Sequence, residues 1–103
     1  MDRIEQLKKF IEQNPSDSFL KHALALEYIK LGDDEIACGL FEELLANDPG
    51  YVGSYYHLGK LFERNGNEQK AIEWYEKGMQ MAKEKEEQHA FGELRGAWEE
   101  LTF

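Results

Sequence analysis

Residues 24–49 read LALEYIKLGDDEIACGLFEELLANDP, and residues 58–83 answer them with LGKLFERNGNEQKAIEWYEKGMQMAK. The offset is about 34 residues, the period of one kind of paired-helix repeat. It sets Leu24 on Leu58, Gly32 on Gly66, Ala37 on Ala71 and, further out, Pro15 on Pro49. Near-matches fill the intervals: Ala25 on Gly59, Tyr28 on Phe62, Lys30 on Arg64 and Phe41 on Tyr75. Small, aromatic and turn residues recur, whereas a repeat of composition alone would return common acidic ones.

Each copy divides into two helical stretches. In the first, a helix from about Ser16 carries Leu20, Ala23, Leu24, Tyr28 and Leu31 on one face and Phe19, His22, Leu26 and Ile29 on a second. Ser16 is its expected N-cap, and Gly32 suits the left-handed conformation that ends many helices. Asp33 can cap the partner helix, which turns Ile36, Ala37, Leu40, Phe41, Leu44 and Leu45 inward and stops at Asn47-Asp48-Pro49. The second copy places Val52, Tyr55, Leu58, Gly59 and Phe62 on its first helix. Its second helix carries Ala71, Ile72, Trp74, Tyr75, Gly78 and Met79. Before both, residues 2–14 hold Ile4, Leu7, Phe10 and Ile11 at helical spacing, in register with the second helix of a copy. After both, residues 86–101 carry Ala90, Phe91, Leu94, Ala97, Trp98 and Leu101 in one stripe. Their opposite face is acidic, as a helix closing an open stack requires.

The pattern Leu24-Ala25, Tyr28, Gly32, Ala37, Pro49, repeated as Leu58-Gly59, Phe62, Gly66, Ala71, resembles the tetratricopeptide repeat (TPR) family over nearly the whole chain. The resemblance implies an all-α fold, a right-handed α-solenoid of about six antiparallel helices. It implies a single domain over 1–103: a half-repeat helix at 2–14, repeats at 16–48 and 49–83, and a capping helix at 86–101. Small residues Ala25, Gly59, Ala37 and Ala71 would let paired helices approach, with Tyr28, Phe41, Phe62 and Tyr75 filling the space between neighbouring pairs. Two positions depart from the family. Lys21 stands where a large apolar residue is usual and Leu44 where a small one is, whereas Tyr55 and Gly78 keep both features in the second copy.

In that family the first helices of successive repeats line a groove that holds a peptide. Carried across, the groove residues here are Phe19, His22, Leu26 and Ile29, then Gly53, Tyr56, Lys60 and Glu63. A second apolar face holding Phe19, Leu26 and Ile29 points to an interaction surface by itself. The bland alternative is burial of those side chains by neighbouring helices. The clamp with which one TPR subgroup grips a C-terminal carboxylate is absent: its places hold His22, Leu26, His57, Glu87 and Phe91.

Composition narrows the function classes. A formal net charge of -9 repels phosphate, so nucleic acid and anionic membrane are poor partners. The lone Cys38 offers no internal disulfide, no stretch approaches the ~20 apolar residues of a membrane span, and residues 1–10 lack the apolar core of a signal peptide. A soluble cytoplasmic protein is the expectation. His22, His57 and His89 fall on separate helices, and Cys38, beside Ala37, reads as a buried inert thiol. Glu42-Glu43 and Glu99-Glu100 are adjacent on helices and so diverge by ~100°. No catalytic residue, metal or cofactor is expected. The reading is a non-enzymatic adaptor that binds a protein or peptide partner. Its rival is a structural module that self-assembles, as a homodimer, through exposed apolar faces.

Overall fold

A computed structural model describes residues 2–103 of the protein; Met1, with which the expected domain begins, lies outside the described residues. The fold is an all-α helical repeat of six helices: α1 Arg3–Gln13, α2 Ser18–Lys30, α3 Asp34–Asn47, α4 Gly53–Arg64, α5 Glu68–Glu84 and α6 Gln88–Thr102. They form two compact units that divide between Asp48 and Pro49, α1 to α3 in the first and α4 to α6 in the second.

In the first unit α2 packs against both α1 and α3. Its core is Leu7, Leu24, Ala25, Ala37, Phe41, Leu44 and Leu45. The N-cap of α2 is Asp17, not Ser16: its carboxylate accepts from the Leu20 amide at 3.2 Å. Ser16 is taken up by the turn after Pro15, where the Asp17 amide donates to Asn14 O. Ser18 then ties the start of α2 to the end of α3, its hydroxyl donating to Asp48 at 2.6 Å. Cys38 is half-buried rather than buried. One residue beyond Ala37 on the helix, it is rotated ~100° off the seam that Ala37 occupies.

In the second unit α5 lies against both α4 and α6, and α4 also touches α6. Tyr55, Leu58, Leu61, Ala71, Tyr75, Ala82, Leu94 and Ala97 are its principal buried side chains. Tyr55 reaches back to donate its hydroxyl to Pro49 O at 2.6 Å, which fixes the entry to α4 without a capping side chain. Tyr75 is wholly buried within the second unit. Its ring crosses the α4 backbone at Gly59, and its hydroxyl donates to Glu63 on that same helix.

Three helix ends share one geometry. Gly32 and Gly66 sit at φ 80° and 84°, and the amide after each donates to a carbonyl five residues back, Asp33 to Tyr28 and Asn67 to Phe62. The same bond closes α5, with Glu87 donating to Ala82 at 2.8 Å, but there the left-handed residue is Glu86 at φ 57°. A side chain in that conformation costs about 1 kcal/mol or more that glycine avoids. Glu86→Gly is therefore expected to stabilise the protein by about 1 kcal/mol, less a few tenths for the added freedom of the unfolded chain. Urea unfolding checks this, and a lowered midpoint would refute it.

Candidate peptide-binding faces

The expected groove residues lie on two helices, one in each unit. On α2 in the first unit Phe19 is 64% exposed, and His22, Leu26 and Ile29 are half-buried. The His22 ring stands edge-on to the buried Phe41 of α3, centroids 5.4 Å apart. On α4 in the second unit Tyr56 tilts against the buried Tyr75 of α5 at 6.4 Å. One repeat apart, the same two positions set a ring against a buried ring, edge-on in the first unit and tilted in the second. Each unit thus holds a ring half in its core and half outside, with its rotamer fixed from below. Core and binding readings apply to different halves of one side chain.

Around Tyr56 the second unit adds charge. Lys60 Nζ lies 5.5 Å from the Tyr56 ring centroid and 3.5 Å from the Glu63 carboxylate. Gly53 has open space where its Cβ would stand. Burial pushes the Tyr75 hydroxyl well above the ordinary tyrosine range, reinforced by its bond to Glu63 and by the charges of Glu63 and Glu100. Burial also lowers His57, partly offset by the charge of Glu93.

Glu93 and Glu100 belong to α6, where the sequence reads them as a polar outward face. The fold brings them within electrostatic reach of His57 on α4 and Tyr75 on α5. The legible sign is the spacing Ala90, Glu93, Ala97, Glu100, a helical stripe of alternating small and acidic residues.

The His57 shift has a pH consequence. Its folded value lies below the ordinary 6.5, so the fold favours the neutral ring. That contribution is complete above pH 6.5 and is lost as pH falls through the lowered folded value. Between neutral and mildly acidic pH the urea midpoint of the parent should fall relative to that of His57→Gln. Parallel pH profiles would refute this.

Among the described residues no three His, Cys, Asp or Glu side chains converge where a metal ion could be held. His89 is exposed on α6, 3.8 Å from Glu93. No helix among these residues is long and apolar enough to cross a membrane.

Profiles of the tetratricopeptide repeat match residues 17–51 and 52–85. The crystal structure of a tetratricopeptide repeat domain protein from Salinibacter ruber superposes with a TM-score of 0.80 at 43% identity, over 84% of this chain and 96% of that one. The chain belongs to the tetratricopeptide repeat family. A protein of Bordetella parapertussis shares the TPR fold at a TM-score of 0.84 and 22% identity, over 99% of this chain and 89% of that one. A TPR repeat-containing protein of Methanocaldococcus jannaschii is 33% identical over 79 residues, 77% of this chain. This chain spans only 24% of that relative's length. TPR repeats are in general protein–protein interaction modules. The two matched segments meet at Tyr51 and Val52, three residues past the division between the compact units.

Proposed function

We propose that this TPR domain is a non-enzymatic cytoplasmic adaptor that takes a peptide segment of a partner protein. Phe19, His22, Leu26 and Ile29 on α2, and Tyr56, Lys60 and Glu63 on α4, would receive it. The supporting observation is the recurrent ring pair, His22 on Phe41 and Tyr56 on Tyr75. Side chains already ordered by the core lose little further freedom on binding, which leaves the partner to bear most of the ordering cost.

A pull-down with the parent beside a Leu26→Glu, Tyr56→Glu variant tests the reading, once circular dichroism shows the variant folded. Partners held by the parent are expected to be lost by the variant. Equal capture by both would move the site off α2 and α4.

A second reading, self-assembly, draws on the first unit, where Phe10 is 50%, Leu31 68% and Ile36 44% exposed. One repeat on, Leu31 and Ile36 correspond to Asn65 and Lys70. Sedimentation over a concentration range separates the two, since a monomer at every concentration refutes assembly.

A further inference from the structure

In the second unit a cavity of about 290 Å³ opens between the end of α5 and the start of α6. Buried Ala82 and half-buried Phe91 line it, with Lys83, Glu86, Glu87 and Gln88 completing the wall. Most of the surface these residues present to the cavity is apolar. Pockets that enclose whole small molecules run from about 300 Å³ upward, so this one suits a single side chain.

The charges around the cavity are uneven. Along residues 83–89, Glu84 accepts from Gln80 at 2.9 Å, the Lys85 ammonium donates to Gly50 O at 2.8 Å, and His89 stands 3.8 Å from Glu93. Those three are engaged elsewhere and do not line the cavity. Lys83, Glu86 and Glu87 do line it, and among the described residues their side chains make no hydrogen bond or ion pair. Two carboxylates therefore share the cavity with one ammonium. The negative end of α5 and the positive end of α6 meet at this turn and offset each other. A wall both apolar and anionic matches a cation carried on an aliphatic stem. Lysine and arginine lay such stems along apolar surface while the head keeps to charge and water, and a cation near an aromatic face gains further. The chain's net charge of -9 favours a basic group over an acidic one from a distance.

We propose that this cavity takes one Lys or Arg side chain of a partner polypeptide, its stem on Ala82 and Phe91 and its cationic head at Glu86 and Glu87. The site lies on α5 and α6, so it stands or falls apart from the α2 and α4 faces. Lys83 competes for the same two carboxylates. Glu86→Gly, expected above to stabilise the fold, removes one of them and should weaken the site.

Amide NMR of the isotope-labelled intact protein tests this with three probes. The first is Nα-acetyl-lysine amide, whose only charge is the side-chain ammonium. Its norleucine analogue keeps the stem without the charge, and methylammonium keeps the charge without the stem. The lysine probe is expected to shift the Ala82, Glu87, Gln88 and Phe91 amides saturably. The norleucine probe should bind about fivefold more weakly, as two exposed ion pairs are worth, and methylammonium more weakly still. Glu86→Gln/Glu87→Gln should weaken the lysine probe by the same factor, and Lys83→Gln should tighten it about twofold. All three substituted side chains are exposed, and each variant's own spectrum reports its fold. Should the double variant fail to fold, the norleucine comparison still decides. Equal binding of norleucine or of methylammonium, lysine binding unchanged in the folded double variant, or no saturable shift would each overturn the proposal. None of these outcomes touches the α2 and α4 reading, which the pull-down tests.

Discussion

Gly59→Ala is expected to cost about 3 kcal/mol, the upper end of what overpacking a core does. The added Cβ would stand 2.6 Å from Cδ1 and 2.7 Å from Cζ of Tyr75. A ring on the surface would swing aside. This one has no exposed surface, and its hydroxyl is tied to Glu63 on the helix that carries Gly59. Tyr56 packs against it as well. The first unit shows what removes the constraint. At the matching positions stand Ala25, Phe41 and Ile29, so a methyl is present where the aromatic lacks a hydroxyl and its partner lacks a carboxylate. Making the same three changes in the second unit, Gly59→Ala, Tyr75→Phe and Glu63→Ile, should recover at least half of the loss. Sites in contact couple in this way, and distant ones add. Urea unfolding followed by circular dichroism measures both variants. A cost below about 1 kcal/mol for the single change, or no recovery in the triple, would show that the tether does not hold the ring.

Gly78→Ala should cost nearly as much, about 2–3 kcal/mol, by a different route. Here the new Cβ meets Tyr55 Cβ at 2.6 Å and Leu94 Cδ1 at 2.9 Å. Leu94 can change rotamer, but Tyr55 Cβ is bonded to the backbone and moves only if α4 and α5 separate. Shortening the partner therefore gives no rescue: in a Tyr55→Ala background the added cost of Gly78→Ala should persist. A cost that vanishes in that background would place the clash on the ring rather than on the helix spacing. At the matching positions the first unit has no glycine: Leu44 stands there, with half-buried Lys21 where the second unit has Tyr55.

Much of this was legible because it is local. Gly32 and Gly66 end helices through a backbone conformation that their own chemistry permits, and Asp33 and Asn67 cap the next helix through side chains three residues from their targets. The α2 and α4 stripes follow from helical spacing alone. Other features needed the neighbours. Ser16 and Asp17 are both fair caps, and the turn after Pro15 chose between them. Glu86 in a left-handed turn breaks the propensity rule, because the α5–α6 contact outweighs one unfavourable residue. Glu93 and Glu100 look like any solvated acidic face until α6 is laid beside α4.

The sequence by itself determined the all-α repeat class, the helix pairs and the positions where only small residues fit. Periodicity, turn chemistry and side-chain volume are properties of the chain within one repeat. Tertiary structure alone decided which ring presses on which glycine, and which carboxylates act on His57 and Tyr75. Those contacts join residues from separate helices, and no spacing along one helix encodes the distance across to another.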